Sequence, residues 1–186
     1  MKIEVEVRSF LTKGQFAKLN RFFQKEAKRL GSWSETTVYY QSNQGDLRLR
    51  QTDKSSFLIF KKGNIHQSQR EEIELPFKKL DFKKLEQVLI QMGHPVKMRW
   101  FRKRIAYLWR GTKVYLDNTV GNGLMIELER ISNKSAKQKV FEQLKKQLDG
   151  LLAKFNIKAT AKAELDKRFD YYKKHWQKLT KKLNTK

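Results

Sequence analysis

Charged and apolar residues alternate strictly in several short segments of this chain, and that alternation limits how the chain can fold. The first segment reads I-E-V-E-V-R from Ile3 to Arg8. Successive side chains of a β-strand point to opposite faces, so a strand here carries Glu4, Glu6 and Arg8 on one face. Its other face is apolar. The pattern predicts a sheet with one apolar and one charged face.

The same alternation recurs in at least five further segments. It places on common faces Arg48 with Arg50; Arg70 with Glu72 and Glu74; Arg102 with Arg104; Lys113 with Tyr115 and Asp117; and Glu127 with Glu129. A solvated sheet face with weak cross-strand ion pairs would explain any one of these strands. A single sheet of about eight strands, however, tends to curl or close. Closure around the polar face would bring acids and bases together inside a lumen.

The order of patterns along the chain predicts an α+β fold in one domain over residues 1–186. Strands are expected at 2–10, 35–42, 46–52, 56–62, 69–77, 97–110, 112–118 and 124–131. Apolar residues recurring at three and four predict helices from Gly14 to Gly31 and from Leu80 to Gly93, and two helices within 135–183. The last helix shows an apolar stripe, interpreted as a core stripe with a solvated basic back rather than a partner-binding surface.

Sequestered charges of both signs are costly unless each meets a partner. A polyphosphate with divalent cations is such a partner, because basic side chains bind phosphate oxygens and paired carboxylates hold hard metal ions. The predicted metal ligands are Glu4, Glu6, Glu127 and Glu129. The predicted phosphate ligands are Arg8, Arg48, Arg50, Arg70, Arg102 and Arg104.

The net charge of +23 and the sequence pI near 10.2 indicate attraction to polyanions in general. Weak binding of nucleic acid or polyphosphate through the basic surface therefore stays open, as does the oligomeric state. The chain has no cysteine, which excludes disulfides and thiolate metal sites. No apolar run reaches the length of a membrane span, and a cytoplasmic location is expected.

Taken in order, these segments resemble the CYTH or triphosphate tunnel metalloenzyme family, which includes class IV adenylyl cyclases, thiamine triphosphatases and inorganic triphosphatases. The family's E-x-E-x-K corresponds to the segment Glu4–Arg8, its L-R-x-R to Leu47–Arg50, its K-G to Lys62-Gly63 and its R-x-E-x-E to Arg70–Glu74. Its K-x-R-x-x-Y corresponds to Arg102–Tyr107, and its L-D, G-L-G-x-F and E-x-E to Leu116-Asp117, Gly121–Met125 and Glu127–Glu129. The match covers residues 2–131.

The resemblance implies an eight-stranded antiparallel β-barrel tunnel with helices packed outside, a triphosphate in the lumen, and Mg²⁺ or Mn²⁺ held by acidic residues. It adds Lys62 to the phosphate ligands and Glu72 to the metal ligands, although a shift of register by one residue would place Lys61 in the lumen instead. The implied catalytic set is Glu4, Glu6, Arg8, Asp117 and Glu129, with Asp117 orienting a basic side chain or a metal-bound water. Arg8, Asn122 and Met125 depart from the family's usual lysine, leucine and phenylalanine.

The implied reaction is metal-dependent hydrolysis of inorganic tripolyphosphate, thiamine triphosphate or a nucleoside triphosphate. Two alternatives stay open. One is a class IV type cyclase that converts ATP to cyclic AMP and pyrophosphate. The other is a non-catalytic module that binds polyphosphate or RNA, using external lysines such as those between Lys173 and Lys182.

Overall fold

The computed structural model describes residues 3–62, 72–132 and 138–183. The strands are β1 (Ile3–Leu11), β2 (Lys28–Tyr40), β3 (Gly45–Thr52), β4 (Ser56–Lys62), β5 (Glu72–Phe77), β6 (Val96–Trp109), β7 (Thr112–Thr119) and β8 (Gly123–Ser132). The helices are α1 (Lys13–Glu26), α2 (Phe82–Gln91), α3 (Gln138–Ala153) and α4 (Lys162–Leu179), with 3-10 turns at Lys79–Asp81 and Lys181–Leu183. No helix among the described residues combines the length and apolar character needed to cross a membrane.

All eight strands belong to one sheet, in the order β1-β8-β7-β6-β2-β3-β4-β5. The pairs β1–β8, β2–β3, β3–β4 and β4–β5 are antiparallel. The predicted α+β class, with eight antiparallel strands and two helices after the last strand, is confirmed. Within the described ranges the order of hydrogen-bonded strands is linear from β1 to β5, so hydrogen bonds do not close the sheet.

The described residues form two compact units. The first unit comprises the chain up to Ser32, Arg104–Asn118 and Gly123–Leu165; the second comprises Trp33–Lys103, Thr119–Asn122 and the chain from Asp166. Both β2 and β6 contribute residues to each unit, because their bounds span the division.

The core of the first unit lies between the apolar faces of β1, β6, β7 and β8 and the helices α1 and α3. Val5 of β1, Phe23 of α1 and Leu148 of α3 have no exposed surface there. Phe22 packs edge-to-face on Trp109 and on Phe155, with ring centroids 5.6 and 4.9 Å apart. Since each fully buried large apolar side chain contributes about 2 kcal/mol, this side of the sheet supplies most of the unit's stability.

In the second unit, consecutive residues of β2 point to opposite sides and meet different helices. Tyr40 belongs to the apolar cluster that includes Phe82 and Leu89 of α2. Tyr39 belongs to the cluster that includes Phe169 and Tyr172 of α4. Helices α2 and α4 therefore cover opposite faces of this part of the sheet, as the period of two in a strand requires.

The predicted extent of the first helix is wrong at its C-terminal end. Helix α1 begins with a capping box, in which Thr12 accepts a hydrogen bond from the Gln15 backbone and the Gln15 side chain accepts one from the Thr12 backbone. It ends at Glu26, and Ala27 is already extended, with φ −134° and ψ 152°. The apolar spacing continues to Gly31, but residues 28–32 belong to β2, which neighbours β6. Pairing in the sheet outweighs the local helical period there.

The outer edge of β1 is covered by the connection between α3 and α4. The Thr160 backbone N–H donates to the Arg8 carbonyl at 2.8 Å, and the Phe10 N–H donates to the Thr160 hydroxyl at 3.1 Å. The Ser9 hydroxyl donates to the Lys158 carbonyl at 2.8 Å. These bonds give the terminal strand partners along the edge that faces away from β8.

The turn between β7 and β8 contains a glycine that the fold requires. Gly121 has φ of 76°, and a Cβ added there would lie 2.6 Å from the Cβ of Leu179 in α4. We expect Gly121→Ala to lower the free energy of unfolding by about 3 kcal/mol, since backbone strain at positive φ and overpacking each cost about 1–3 kcal/mol. Urea denaturation monitored by circular dichroism measures the loss.

Gly123→Ala is the matched control, because Gly123 has φ of 100° but no atom lies within 4 Å of its added Cβ. Its free energy of unfolding should fall only by the contribution of backbone strain. Equal losses for the two variants would contradict a required close approach between Gly121 and α4.

Candidate active site

The pairing of β1 with β8 sets carboxylates side by side on the face of the sheet that points away from the apolar core. In this register Glu6 lies directly opposite Glu129, and Arg8 lies opposite Glu127. Directly opposed residues of an antiparallel pair share a face, with Cβ atoms about 5 Å apart. Glu127 and Glu129 are only 6% and 7% exposed. Opposed, buried like charges are destabilising, so this arrangement requires cations nearby.

Arg8 supplies one of those cations and bridges two strands. Its Nη2 donates to Glu6 Oε2 at 2.6 Å, and its Nε donates to Glu127 Oε2 at 3.0 Å. A guanidinium has separate donors for two carboxylates, whereas a lysine ammonium is a single point of charge. The departure from the family's lysine thus gives this chain a cross-strand link between β1 and β8.

Arg104 of β6 is the most deeply buried cation of this face. Its Nε and Nη2 each donate to one oxygen of the Asp117 carboxylate at 2.7 Å, and Nη2 lies 3.4 Å from Glu127 Oε2. Its guanidinium also stands 4.0 Å from the ring centroid of Tyr115. Two parallel hydrogen bonds fix the plane of the guanidinium, so Asp117 orients a basic side chain.

Glu129 of β8 binds a lysine of the neighbouring strand β7. Lys113 Nζ donates to Glu129 Oε1 at 2.7 Å. Burial, together with the negative charge of Glu129, raises the pKa of the neighbouring Tyr115 above its ordinary value. The Tyr115 hydroxyl therefore stays protonated near neutral pH and is a hydrogen-bond donor.

We call these side chains the charged face of the first unit. Its members are Glu6, Arg8, Arg104, Lys113, Tyr115, Asp117, Glu127 and Glu129, drawn from β1, β6, β7 and β8. Six of the eight were predicted as site residues, and the alternation had also placed Lys113 and Tyr115 on the face of Asp117. The first unit thus brings together the larger part of the predicted catalytic set.

In the second unit, Arg48 of β3 is paired and stacked. Its Nε donates to Asp46 Oδ1 at 2.8 Å, a second donor binds the other Asp46 oxygen, and its guanidinium lies 4.6 Å from the centroid of the Tyr39 ring. Burial alone lowers the pKa of Arg48, but the adjacent Tyr39 and Asp46 outweigh burial and raise it. Arg48 is therefore a permanent cation on the side of the sheet that faces away from α2.

Arg102 of β6 pairs with an acid that the sequence reasoning missed. Its Nε donates to Glu35 Oε1 at 3.0 Å, and its Nη2 binds the same oxygen. The Trp33 indole N–H donates to the other Glu35 oxygen at 3.4 Å. Glu35 is only 5% exposed, so Arg102 neutralises a buried carboxylate.

Arg50 is less fully paired than Arg48 and Arg102. Its Nε is buried and has no hydrogen-bond partner among the described residues, and its Nη1 lies 3.7 Å from Glu74 Oε2, which is beyond hydrogen-bond length. A buried donor without an acceptor costs about 1–3 kcal/mol. An acceptor brought near the Arg50 Nε would remove this cost.

The register of β3 with β4 corrects the predicted lysine ligand. Lys61 lies opposite Asp46, so it shares a face with Arg48, and Lys62 lies opposite Gly45 on the other face. Lys61 Nζ is 2.7 Å from Glu72 Oε2, whereas Lys62 is exposed. Lys62 therefore lies on the face away from Arg48, since a one-residue difference along a strand reverses the face.

Two predicted ligands lie outside what the structure describes, namely the side chain of Glu4 and the whole of Arg70. Conversely, Glu35, Asp46 and Lys113 take part in these ion pairs, and the ring of Tyr115 contacts Arg104, without having been predicted as site residues. For Asp46 and Lys113 the signal was present, because each alternates with apolar neighbours in its strand.

The acidic residues are occupied by bases rather than gathered around one point. Within residues 3–62, 72–132 and 138–183, no three acidic or histidine side chains stand close enough together to hold one metal ion. Glu6, Glu127 and Glu129 bond to Arg8 and Lys113, and Glu72 of the second unit pairs with Lys61. A metal ion bound here would replace one of these bases.

The sequence profile of the CYTH domain matches residues 2–165. The chain belongs to the CYTH family. No curated protein matches the sequence.

Solved structures of CYTH-like proteins share the fold. A conserved hypothetical protein from Pyrococcus furiosus has 22% identity and a TM-score of 0.68, over 83% of this chain and 91% of that one. A protein from Vibrio parahaemolyticus, provisionally an adenylate cyclase, has 19% identity and a TM-score of 0.67, over 87% and 96%. A protein from Hippeastrum, provisionally an adenylyl cyclase and described as having a dominant triphosphatase activity, has 17% identity and a TM-score of 0.63, over 89% and 94%.

The buried tyrosine of the charged face gives a prediction for alkaline pH. Above about pH 10 the unfolded chain loses the Tyr115 proton while the folded chain keeps it, so this group's contribution to stability falls as pH rises. We expect the free energy of unfolding of the unmodified protein to fall more steeply than that of Tyr115→Phe, by about 1.4 kcal/mol per pH unit. Urea titrations between pH 8 and 11 measure both slopes, and equal slopes would show that Tyr115 is not held protonated.

Proposed function

We propose that this CYTH protein is a metal-dependent triphosphatase that hydrolyses inorganic tripolyphosphate, thiamine triphosphate or a nucleoside triphosphate. The observation that carries the proposal is the cross-strand register that opposes Glu6 to Glu129 on a half-buried face, next to Arg8 and Arg104. Structural stability alone does not favour opposed carboxylates. Binding of a highly charged ligand with its counter-cations explains why the chain places them there.

Family membership supports the same chemistry. Members of the CYTH family act on triphosphates, and a structural neighbour from Hippeastrum is described as a triphosphatase. The residues of the charged face agree with this chemistry. Its carboxylates are suited to bind metal cations, and its guanidinium groups are suited to bind phosphate oxygens.

The donor set fits Mg²⁺ or Mn²⁺, because carboxylate oxygens are the ligands that these ions prefer. Glu6, Glu127 and Glu129, with Glu4 on the same strand as Glu6, would hold the ion after releasing a basic partner. A bound divalent ion supplies charge neutralisation on phosphate oxygens and lowers the pKa of an attacking water.

The chain's own residues would bind and orient the triphosphate. Arg8 and Arg104 would donate to phosphate oxygens and stabilise the charge that develops on the transferred and leaving groups. Asp117 would act as a positioning residue, because its two hydrogen bonds fix the Arg104 guanidinium. Tyr115, kept protonated, would donate a hydrogen bond and would not act as a base.

The second unit supplies further candidates for phosphate binding. Arg50 has a buried Nε without an acceptor in the described part of the chain. Arg48 and Arg102 are held in fixed positions by Asp46 and Glu35 and keep their charge. Lys61, rather than Lys62, lies on the face of Arg48. The phosphate-binding roles of these residues are part of the proposal.

The test is phosphate release from tripolyphosphate, ATP and thiamine triphosphate, each with Mg²⁺, with Mn²⁺ and with EDTA. We expect turnover with a metal ion and none with EDTA. Glu129→Gln should lower kcat by about 100-fold or more, since it removes one charge from the reacting centre. Glu26→Gln, an exposed position at the end of α1, is the matched control and should keep full activity.

Three other outcomes of this experiment would contradict the proposal. Formation of cyclic AMP and pyrophosphate from ATP would replace the triphosphatase with the cyclase alternative. Tight binding of tripolyphosphate in EDTA, without turnover of any substrate, would replace it with the non-catalytic module. Full metal-dependent activity in Glu129→Gln would remove the charged face as the reaction site.

The corrected lysine gives a prediction of its own. We expect Lys61→Met to raise the KM for tripolyphosphate by about tenfold, because it removes a charged donor from the face of Arg48. Lys62→Met makes the same chemical change one residue away, on the other face, and should leave KM unchanged. Steady-state phosphate release measures both, and the reverse order of effects would restore the original prediction of Lys62.

A further inference from the structure

The outward side of helix α4 carries a continuous basic stripe that the proposed triphosphatase does not use. The inward side of α4 packs through residues such as Phe169 and Tyr172. The exposed residues at spacings of three and four on the other side are Lys167, Tyr171, Lys174, His175, Lys178 and Lys181, and we call them the α4 stripe. From Lys167 to Lys178 the stripe extends about 16 Å along the helix axis.

An ordered aromatic pair lies in the middle of this stripe. The rings of Tyr171 and His175 are stacked, with centroids 4.4 Å apart and planes 29° from parallel. His175 Nδ1 donates to the Tyr171 carbonyl at 2.8 Å, which fixes the histidine ring against the tyrosine. Tyr171 nevertheless remains 58% exposed. The helix therefore presents a held, solvent-facing aromatic surface between lysines.

The charge around the pair is positive. None of the stripe positions is acidic. The acids of α4 are Glu164, Asp166 and Asp170, all before Tyr171, and Asp170 accepts a hydrogen bond from Lys173 at 2.7 Å. From Tyr171 to Lys186 the sequence contains no acidic residue, so the lysines from Lys174 onward attract an anionic partner without a neighbouring acid in sequence, in a chain whose net charge is +23.

We propose that the α4 stripe binds single-stranded nucleic acid without sequence preference. Lysines spaced along the helix contact successive phosphates, and a base stacks on the exposed face of Tyr171. The aromatic pair decides the class of partner. A polyphosphate would use the lysines and gain nothing from Tyr171, whereas a strand with unstacked bases uses both.

The first experiment measures fluorescence anisotropy of a labelled oligo-dT of about 20 nucleotides between 50 and 200 mM salt. EDTA is present, so that the proposed metal-dependent triphosphate site does not contribute. Lys174→Gln/Lys178→Gln should reduce the slope of log affinity against log salt by about 1.4, since each phosphate contact on a single strand accounts for about 0.7.

Arg21→Gln/Lys25→Gln is the matched control. It removes two exposed charges, also four residues apart, from α1. It should keep the slope and affinity of the unmodified protein. Equal effects of the two double variants would mean that the binding follows overall charge and would overturn the α4 stripe as a site.

Tyr171→Ala tests the stacking separately. It should weaken oligo-dT binding by about fivefold or more, in line with the contribution of one base stacked on an aromatic ring, and leave binding of long-chain polyphosphate unchanged. Tyr171→Phe should bind like the unmodified protein. If Tyr171→Ala binds both oligo-dT and polyphosphate as the unmodified protein does, or binds both more weakly by the same factor, base stacking is excluded. The stripe would then be a general polyanion-binding surface.

Discussion

A charged side chain on a partly buried sheet face is tolerated only when an opposite charge meets it, and this constraint organises the charged residues of each unit. In the first unit Arg104 meets Asp117 and Arg8 meets Glu6 and Glu127. In the second unit Arg48 meets Asp46 and Arg102 meets Glu35. Buried pairs contribute little net stability, so the apolar faces supply the folding energy and the charged faces are kept for another purpose.

Mutual neutralisation also defines what ligand can enter. A lone anion that took Arg8 would leave Glu6 without its arginine and would remove one of the two arginines beside Glu127, and a lone metal ion on Glu129 would displace Lys113. Removing one member of a buried pair costs about 3–5 kcal/mol. A triphosphate that arrives with divalent cations supplies both signs together, which allows acids and bases to exchange partners without leaving either uncompensated. The proposed function follows from this balance of charge.

The alternation of residues sufficed to predict the strands and which faces carry charge, because the period of two depends only on strand geometry. The alternation failed where the pairing between strands determines which side chains meet. Lys61 and Lys62 are adjacent lysines, and only the pairing of β3 with β4 shows which one faces Arg48. Glu35 was missed because its threonine neighbours weaken the alternation, and α1 was extended too far because an apolar spacing of three and four continued into β2.

Helix α4 adds a constraint that no local pattern contains. Met98, Trp100 and Arg102 alternate along β6 and share a face, and the first two pack with the aromatic residues of α4 while Arg102 binds Glu35. On this face of the second unit the aromatic cluster therefore ends at Trp100, and charged residues begin at Arg102. Tyr39 lies at that boundary, because its ring contacts both Phe169 of α4 and the Arg48 guanidinium. The position of Arg48 thus depends on how α4 packs, which couples a helix outside the strand motifs to a candidate phosphate ligand.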